Sequence, residues 1–305
     1  MIQQRKKVLV TGGAGFIGSH LVDALIERGF DVVIVDNLST GKRENLNPKA
    51  VFHESDIRDL EKIKPVFKDI DYVLHLAARP RVPYSIEFPA ESHSNNVLGT
   101  LNVLLAAKDA GVKKLIFSSS SSVYGEQERL PLHEEMITNP KSPYALQKLM
   151  GEKYCQLFHK LYGLPTVSLR FFNVYGPRIS FEGSYILVLG VFLQQKIKGE
   201  SLTIEGDGEQ SRDFTYVGDT VRAVVSAMES DKVGKGEVIN IGAGNNYTVN
   251  KLAQLIGGEI VYKPARKGDI RHTLADNQKA KKLLNWKPTV KIEEGIEKVK
   301  KWMGM

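Results

Sequence analysis

Tyr144 and Lys148 lie four residues apart in the segment NPKSPYALQKLMGEKY. On a helix, residues at positions i and i+4 share a face, so the phenol and the ammonium can point into one cleft. A nearby cation favours the phenolate and would lower the pKa of the tyrosine from about 10 towards neutrality. The pair is therefore a candidate general base for an alcohol proton. Because this spacing also occurs by chance on helix surfaces, a plain surface pair is the alternative.

Five consecutive serines, Ser118 to Ser122, precede this pair in the segment KKLIFSSSSSVYGEQ. A serine run usually indicates a flexible linker. This run follows Leu-Ile-Phe and leads directly into Val-Tyr-Gly. We therefore predict that the serines are the end of a buried strand that enters a functional site, with a purely structural run as the alternative.

Three glycines separate the first apolar run from the first helical segment in VLVTGGAGFIGSHL. Gly12 permits a tight turn, Gly15 lets the backbone approach a pyrophosphate, and Gly18 allows close helix packing. The spacing is G-x-x-G-x-x-G and differs from the usual dehydrogenase fingerprint. A glycine-rich turn alone also closes ordinary loops, so the following strand has to support the interpretation.

Asp36 ends that next strand segment, VVIVDN, 18 residues after Gly18. An acid at this place can bind the ribose hydroxyls of adenosine and would repel a 2′-phosphate. The sequence therefore predicts a dinucleotide site that favours NAD over NADP. The segment GKR at 41–43 is close enough to hold a phosphate, and a solvated surface Asp36 is the other alternative.

Short apolar runs alternate with helical segments through the first half of the chain. The strand segments are KVLVTGG, DVVIVDN, VFHESDI, YVLHLAA and KKLIFSS, and the helical segments are FIGSHLVDALIERG, EKIKPVF and NVLGTLNVLLAAKDAG. Strands that are nearly continuous in apolar residues indicate a parallel sheet covered on both faces. The sequence predicts an α/β fold with a Rossmann-type doubly wound sheet.

After about residue 173 this alternation becomes irregular. TVRAVVSAMES and EVINIGAG still indicate a helix and a strand of the first domain, whereas VNKLAQLIG, NQKAKKLLNW and IEEGIEKVKKWM indicate short helices of a tail. We predict a dinucleotide domain of residues 1–173 plus about 214–245. A smaller, discontinuous C-terminal α/β domain of about 174–213 and 246–305 would cover the carboxyl edge of the sheet, where such sheets bind ligands.

Composition excludes several classes of protein. The 305 residues carry a net charge of +7, from 42 basic and 35 acidic residues, and the lysines are scattered rather than interleaved with aromatics. This distribution favours solubility over nucleic-acid binding. A single cysteine, Cys155, excludes an intrachain disulfide and a cysteine metal cluster and fits a reducing compartment. Without a long apolar stretch or a signal-like segment, we expect a cytoplasmic protein with no metal, membrane or nucleic-acid partner.

Ten motifs follow one another along almost the whole chain. They are TGGAGFIGSHL, DN, HLAA, NNVLGT, SSSSSVYG, SPYALQK, LRFFNVYGPR, RDFTYVGD, NIG and LNWKP. Together they resemble the extended short-chain dehydrogenase/reductase superfamily and, within it, the NAD-dependent nucleotide-sugar epimerases that act on UDP-glucose or UDP-N-acetylglucosamine. The resemblance implies an isomerase with a tightly held NAD and a UDP-sugar substrate bound by the C-terminal domain.

The resemblance also implies a set of cofactor contacts. Asp56 and Ile57 would flank adenine, Leu76 to Ala78 would pass beneath the cofactor, and Asn95 would orient Lys148, which would hold the nicotinamide ribose. The full predicted set is Gly12, Gly15, Phe16, Ile17, Gly18, Asp36, Asn37, Thr40, Gly41, Asp56, Ile57, Leu76, Ala77, Ala78, Asn95, Ser118, Tyr144 and Lys148.

For the substrate, the resemblance aligns Ser120 with the family's catalytic hydroxyl, which would hydrogen-bond the sugar hydroxyl at C4 beside Tyr144. Ser118 and Ser119 would line the strand end near the nicotinamide. Asn173, Arg212 and Arg266 match the family's UDP contacts, with Asp269 on the uridine ribose. The predicted substrate set is Ser120, Ser121, Asn173, Arg212, Arg266, Asp269 and Thr273.

Ser121 and Ser122 favour epimerisation over related reactions. Sugar-nucleotide dehydratases of this superfamily carry an Asp-Glu pair directly after the catalytic hydroxyl, and the decarboxylases carry a Glu at the second of these places. Eliminating water requires an acid and a base, and two neutral serines supply neither. The residues left support hydride and proton exchange at one carbon, through a transient 4-keto sugar.

The identity of the sugar stays open between two alternatives. Thr273 occupies a pocket-wall position where strict glucose/galactose epimerases carry a bulky tyrosine, so the resemblance implies room for a 2-N-acetyl group. Arg79 and Arg81, in AARPRVPYS, stand where the family's loop meets the sugar. An arginine there could pair with a C6 carboxylate, which makes UDP-glucuronate 4-epimerase the alternative.

Two other classes of function are weighed. A true dehydrogenase would exchange NAD(H) with solution and show net cofactor turnover. A non-catalytic NAD-binding regulator would be expected to lose Tyr144 or Lys148, and the chain has both. Relatives dimerise through the helices that correspond to LGTLNVLLAAK and YALQKLMGEKYCQLF, so a homodimer is expected.

Overall fold

A computed structural model of the protein describes residues 5–179, 187–265 and 271–305. Its strands are β1 (Lys7–Thr11), β2 (Asp31–Asp36), β3 (Val51–Glu54), β4 (Tyr72–His75), β5 (Lys114–Ser120), β6 (Thr166–Phe171), β7 (Val174–Tyr175), β8 (Leu202–Glu205), β9 (Ser211–Asp213), β10 (Thr215–Tyr216), β11 (Lys235–Ile241), β12 (Asn246–Thr248) and β13 (Ile260–Lys263). Its α-helices are α1 (Phe16–Glu27), α2 (Leu60–Ile63), α3 (Val82–Glu87), α4 (Pro89–His93), α5 (Gly99–Ala110), α6 (Pro143–Tyr162), α7 (Val188–Lys198), α8 (Val217–Glu229), α9 (Val249–Ile256), α10 (Gln278–Leu284) and α11 (Ile292–Trp302).

Seven strands form one parallel sheet in the order β11-β6-β5-β4-β1-β2-β3. The chain builds outward from β1 through β2 to β3, then returns to β4 on the other side of β1 and builds outward again. The carboxyl ends of β1 and β4 therefore meet at a topological switch point, where open sheets of this kind bind ligands. The predicted Rossmann-type doubly wound sheet is confirmed.

Successive residues of the central strand pack on opposite faces of the sheet. Val8 and Val10 belong to the core cluster shared with α1 and α8, whereas Leu9 belongs to the cluster shared with α5 and α6. Because strand side chains alternate, a strand covered on both faces is apolar at every position. This explains why these segments are nearly continuous in apolar residues.

A third core cluster lies among the C-terminal elements. It includes Phe192 of α7, Leu252 of α9 and Ile296 of α11, together with Tyr175 of β7. Two small strand pairs, β8 with β13 and β9 with β12, belong to this region. β11 lies in the main sheet; the exact domain division at 173, 214 and 245 stays a prediction.

Asp219 of α8 joins two of the sequence motifs. Its carboxylate accepts hydrogen bonds from the backbone N–H groups of Thr289 and Val290, each at 3.0 Å. The Trp286 indole donates to the Asp219 carbonyl at 2.9 Å. The motifs RDFTYVGD and LNWKP therefore hold the last helices against α8, which is a structural role.

Several short elements differ from the sequence predictions. EKIKPVF forms only the single turn of α2, followed by a 3₁₀ turn at Lys64–Phe67. The segment before α5 forms a π-helical turn at Ser94–Leu98. The helices α3 and α4 and the strand β13 were not predicted. Segments this short cannot show a clear periodic pattern of apolar residues. Within the described ranges, no helix is both long and apolar enough to cross a bilayer.

Candidate active site

The glycine turn between β1 and α1 is closely packed against its neighbours. Gly12 has φ +76°, and a Cβ there would lie 2.7 Å from the backbone N of Ala77. A Cβ on Gly18 would lie 2.0 Å from the carbonyl oxygen of Gly12. Gly15 is the N-cap of α1 and has no side chain with which to cap the first turn. The first amides of α1 are thus available to an anion, as a pyrophosphate site requires.

Asp36 organises the adjoining loop. One carboxylate oxygen accepts from Ala14 N at 3.0 Å and the other from Leu38 N at 2.8 Å. Burial raises the pKa of Asp36, and these two hydrogen bonds lower it in part. Each oxygen keeps acceptor capacity for a ribose hydroxyl. Asp36 is a buried residue, so the surface alternative is wrong.

The residues after Asp36 surround this carboxylate. A Cβ on Gly41 would lie 3.0 Å from Asp36 Oδ1 and 2.8 Å from Ala14 Cβ, so only glycine fits without displacement. Asn37 donates to Asp56 Oδ2 at 2.9 Å, and Thr40 is exposed. The nearby Arg43 pairs with Glu54. The carboxylate partner of Arg43 weakens the alternative of a phosphate site at GKR.

Asp56 and Ile57 follow β3 on the same edge. Asp56 accepts two hydrogen bonds from the Arg58 side chain to the same oxygen, at 3.1 and 2.7 Å. Although burial raises it, the contacts with Arg58 and Asn37 lower the pKa of Asp56 to about 2. Ile57 is buried against Gly99, where a Cβ would lie 2.5 Å from Ile57 Cδ1. Both residues therefore have defined positions next to the loop of Asp36.

His75, at the end of β4, is a residue that the sequence reasoning missed. Its Nδ1 lies 2.7 Å from Thr11 Oγ1 and its Nε2 lies 2.9 Å from Thr100 Oγ1. Burial lowers the pKa of His75 to about 3, so the ring is neutral at physiological pH. Thr11 Oγ1 also accepts from Ala77 N at 3.3 Å. His75 thus helps to position the Leu76–Ala78 segment that packs on Gly12.

The serine run ends β5, as predicted. Ser118 and Ser120 share one face of the strand, and Ser119 points to the other face. Ser119 Oγ donates to Glu152 Oε1 at 2.5 Å. The expectation that Ser119 lines the nicotinamide site is therefore wrong, because its hydroxyl lies in a buried ion-pair network. Strand alternation was the signal that could have separated these serines.

Ser120 and Tyr144 come together at the mouth of the site. Ser120 Oγ accepts from Ser122 Oγ at 2.9 Å, and it lies close enough to the Tyr144 phenol to lower its pKa in part. Tyr144 lies in the first turn of α6, whose N-cap Ser142 accepts from Ala145 N at 3.2 Å. The structure therefore places the predicted phenol and the predicted hydroxyl in direct contact. Ser121 is half-buried in the 3₁₀ turn that follows.

The prediction that Lys148 lowers the pKa of Tyr144 is wrong when only the protein's own groups act on it. Burial raises the pKa of Tyr144 to about 12, and only the Ser120 hydrogen bond lowers it in part. Lys148 Nζ donates to Ser118 O at 2.7 Å and lies 5.9 Å from the centre of the Tyr144 ring. Burial lowers the pKa of Lys148 to about 8. Desolvation is therefore the largest influence on the pKa of both groups.

Asn95 and Lys148 have separate backbone partners. Asn95 Nδ2 donates to Glu91 O at 2.9 Å, whereas Lys148 donates to Ser118 O. The structure gives no direct bond by which Asn95 would orient Lys148. Asn95 is buried in the π-helical turn and stays a predicted cofactor contact.

Glu152 and Arg170 form a buried ion pair that the sequence reasoning also missed. Glu152 accepts two hydrogen bonds from the Arg170 guanidinium, both at 2.8 Å. The two side chains are 1% and 4% exposed. Glu152 follows Lys148 by four residues and Tyr144 by eight, so helical spacing could have placed all three on one face of α6.

On the substrate side, three predicted residues lie around Asp213. Asn173 has φ +31° and donates to Asp213 O at 3.0 Å, and Thr273 Oγ1 accepts from Asp213 N at 3.3 Å. Arg212 Nη1 donates to Ser211 O at 3.0 Å. Arg266 and Asp269 lie outside the described residues. Asn173 and Thr273 are thus bonded to the main chain of β9, the strand that carries Arg212. The roles of all three residues stay predictions.

Asp213 itself is a buried acid that fixes this region. It accepts from the backbone N–H groups of Ala243, Gly244 and Ala275 at 2.7, 2.9 and 3.0 Å. Burial raises the pKa of Asp213 to about 6, although these hydrogen bonds lower it in part. Asp213 therefore supports the backbone that carries Arg212.

Residues 8–242 match the family model described as the NAD dependent epimerase/dehydratase family. The chain belongs to this family. Family membership confirms the predicted superfamily and NAD as its cofactor. The residues around this turn fit NAD. The glycine turn and the open N-terminus of α1 would hold its pyrophosphate, and the buried carboxylate of Asp36 would hold its adenosine ribose.

Three solved structures show how closely this epimerase/dehydratase resembles known members. The UDP-glucose 4-epimerase of Thermotoga maritima, solved with UDP-glucose, is 45% identical with a TM-score of 0.94, and the match covers 98% of each chain. The UDP-N-acetylglucosamine 4-epimerase of Methanobrevibacter ruminantium, solved with UDP-N-acetylmuramic acid, is 42% identical with a TM-score of 0.93 and covers 99% of each chain. The UDP-glucuronic acid 4-epimerase of Bacillus cereus, solved with UDP-glucuronic acid and NAD, is 37% identical with a TM-score of 0.88, covering 98% of this chain and 99% of that one.

Proposed function

We propose that this protein is a UDP-hexose 4-epimerase, an isomerase that inverts the sugar C4 through a transient 4-keto intermediate. The contact between Tyr144 and Ser120 is the observation that carries the proposal. It places a phenol and a hydroxyl together at the end of β5, and the next two residues are the neutral Ser121 and Ser122. This arrangement can move a proton at one carbinol and offers no acid for elimination of water.

In this mechanism Tyr144 takes the proton of the C4 hydroxyl while Ser120 holds that hydroxyl by a hydrogen bond. A bound NAD supplies the hydride acceptor and the positive charge of its oxidised ring. The keto sugar turns about its diphosphate and presents its other face, and Tyr144 returns the proton. Lys148 lies one helical turn from Tyr144, where it would bind the nicotinamide ribose. Because the hydride would return to the same sugar, the cycle would need no exchange of NAD with the solution.

The raised pKa of Tyr144 explains why the positive charge of the oxidised nicotinamide ring would matter. A phenol whose pKa is about 12 is protonated at pH 7 and is a poor base. A cation close to the ring favours the phenolate. We infer that Tyr144 becomes an effective base only in the cofactor-loaded enzyme, since Lys148 alone leaves its pKa raised.

For the sugar, we propose UDP-Glc/UDP-Gal together with UDP-GlcNAc/UDP-GalNAc. Thr273 is a buried residue whose hydroxyl is turned towards Asp213 N. Replacement by tyrosine would add a ring to this wall. We expect Thr273→Tyr to depress turnover of the N-acetylated sugars selectively, measured as kcat/KM on each pair. An equal loss on both pairs would refute the pocket assignment.

UDP-glucuronate 4-epimerase is the second candidate, since the Bacillus cereus enzyme named for that activity is 37% identical. The Arg79 guanidinium, which raised this alternative, lies 3.3 Å from Ser39 O and 3.8 Å from Glu91 Oε1. In this arrangement it faces the loop after Asp36, so it does not favour the uronate. Arg81 occupies the N-cap position of α3.

We also propose a cytoplasmic homodimer. Large apolar side chains are exposed on α6 and at the start of α5, as a helix-to-helix interface would require. They are Leu98, Leu146, Leu157, Leu161 and Tyr162. A monomeric mass in solution, by light scattering, would dismiss the dimer. The buried Cys155, whose pKa burial raises to about 12, is compatible with a reducing compartment.

One assay tests the proposed reaction. The purified protein is incubated without added cofactor with UDP-Glc, UDP-Gal, UDP-GlcNAc, UDP-GalNAc and UDP-GlcA, and the products are resolved by chromatography. We expect interconversion within the first two pairs and no accumulation of NADH at 340 nm. Net NADH formation would indicate a dehydrogenase, and absence of any product with bound NAD would indicate a binding protein.

A further inference from the structure

Arg79 follows the Leu76–Ala78 segment at the switch point, and its main chain is held by one side chain. The Arg79 N–H donates to Asn96 Oδ1 at 2.7 Å, and the Arg79 carbonyl accepts from Asn96 Nδ2 at 3.1 Å. Two opposed hydrogen bonds to one amide fix both the position and the orientation of the peptide. The direction in which the Arg79 side chain leaves the backbone is therefore determined.

Asn96 is itself anchored to the helix that carries the candidate catalytic residues. Its Nδ2 donates to Gln147 Oε1 at 2.7 Å, and the same oxygen accepts from Ser92 Oγ at 2.8 Å. Asn96, Gln147 and Ser92 are all buried. Gln147 precedes Lys148 on α6, so the main chain of Arg79 is tied to the turn of Tyr144 and Lys148.

The Arg79 side chain reaches the loop that follows Asp36. Its Nη1 donates to Ser39 O at 3.3 Å, and its Nη2 lies 3.8 Å from Glu91 Oε1 of α4. The guanidinium also lies over the Tyr84 ring of α3, 5.5 Å from the ring centre. We call these three contacts the Arg79 bridge. The bridge connects the loop of the predicted adenosine site to α3 and α4.

We propose that Arg79 is a positioning residue that keeps NAD in the protein between turnovers. The Arg79 bridge joins the loop beside Asp36 to the segment after β4, and these are the two walls between which the adenosine end would lie. Release of the cofactor requires these walls to separate, which breaks the contacts of the guanidinium. The inference rests on the proposed function, because an epimerase returns the hydride and gains from a cofactor that does not leave.

The experiment measures NAD retention and requires no sugar. Wild-type protein and Arg79→Ala are loaded with NAD, diluted and passed repeatedly through a desalting column, and the nucleotide released on denaturation is quantified per protomer. We expect NAD to be lost about tenfold to a hundredfold faster from Arg79→Ala, as for the loss of hydrogen bonds to a charged group. Added NAD should repair the turnover of the variant.

Three further variants test whether NAD loss depends on the contacts of the Arg79 bridge or follows from removing any nearby charge. Arg79→Lys keeps the charge but cannot make the same two-sided contact, so its loss rate should be intermediate. Glu91→Gln keeps an acceptor at α4 without its charge and should accelerate loss by a smaller factor. Arg81→Ala removes a cation two residues away and should retain NAD as the wild type does. Urea unfolding of the NAD-free proteins checks that each variant is folded.

The proposal is overturned if Arg79→Ala retains NAD as long as the wild type, or if Arg81→Ala loses it equally fast. It is also overturned if the wild type does not retain NAD, or if Arg79→Ala loses only UDP-GlcA turnover while its NAD content is unchanged. The last outcome would assign Arg79 to a substrate carboxylate. A wild type that fails to epimerise any sugar but holds NAD in an Arg79-dependent way would refute the proposed function and leave the bridge standing.

Discussion

Two buried cations, Lys148 on α6 and Arg170 on the adjacent β6, have their charges balanced in different ways. Arg170 is paired with Glu152 through two hydrogen bonds, and Ser119 completes the carboxylate. Although burial lowers it, the contacts with Glu152 raise the pKa of Arg170 above its ordinary value. Lys148 is equally buried, but it donates to the carbonyl of Ser118, and burial lowers its pKa to about 8.

The difference separates a structural region from a reactive one. A buried charge paired with a carboxylate is costly to disturb, so the Glu152–Arg170 pair fixes β6, and through Ser119 the end of β5, against α6. A buried cation that donates to a neutral carbonyl and has no carboxylate partner among the described residues remains poised to bind a further polar group. The same helix therefore carries a rigid support in its middle and, one turn before it, a site whose electrostatics are left for the cofactor and substrate to complete.

The largest effect is expected at the paired region. Glu152→Gln leaves the Arg170 charge buried without a carboxylate, and we expect a loss of about 3–5 kcal/mol in the free energy of unfolding. Urea denaturation measures it. The double variant Glu152→Gln/Arg170→Met removes both charges and should recover most of the stability. A single variant within about 1 kcal/mol of the wild type would contradict the contrast between the two regions.

Tyr144→Phe tests the reactive region. Removing the proton acceptor should lower turnover by at least about 100-fold, a typical loss for an acid-base group. The free energy of unfolding should change little, and the NAD content per protomer should match that of the wild type. Steady-state turnover of UDP-Glc measures the first quantity. Wild-type-like turnover in this variant would remove Tyr144 from the mechanism.

Ser119 and Ser120 are adjacent in the chain, but Ser119 belongs to the structural region and Ser120 to the reactive one, so their variants can be compared directly. Ser119→Ala removes a hydrogen bond to the buried Glu152 carboxylate and should cost about 1–2 kcal/mol in unfolding free energy, with turnover changed by only a few fold. Ser120→Ala removes the hydroxyl that contacts Tyr144 and should lower turnover by at least about tenfold, with little effect on stability. The opposite pattern would exchange the two assignments.

A pH titration gives the smallest effect. The pKa of Lys148 is lowered to about 8 in the folded protein from 10.5, so between these pH values the unfolded chain binds more protons. Stability therefore rises with pH in this window, and the penalty is fully present below about pH 8. Relative to Lys148→Met, the wild type should gain about 1 kcal/mol per pH unit from 8 to 10. A constant difference between the two proteins would show that burial does not perturb Lys148.

Local patterns predicted much of the cofactor side. Gly12 has a positive φ, Gly18 packs on the carbonyl of Gly12 within the same turn, and Asp36 ends the next strand along the chain. Such features follow from short stretches of sequence. Ser119 was wrongly predicted to line the nicotinamide site, although strand alternation puts it on the other face of β5. The resemblance to the family treats the serines as one motif. Arg79 was directed towards the sugar, since sequence position says nothing about the direction of a long side chain.

The sequence by itself determined the alternation of strands and helices, the glycine turn and the one-faced spacing of Tyr144, Lys148 and Glu152, because each depends on backbone geometry over a few residues. Only the tertiary structure decided how the charges of that face are balanced. The pKa of Tyr144 reflects burial against the effect of the neighbouring Ser120, and the partner of Glu152 comes from β6, 18 residues later. Both depend on distances between elements that no local pattern contains.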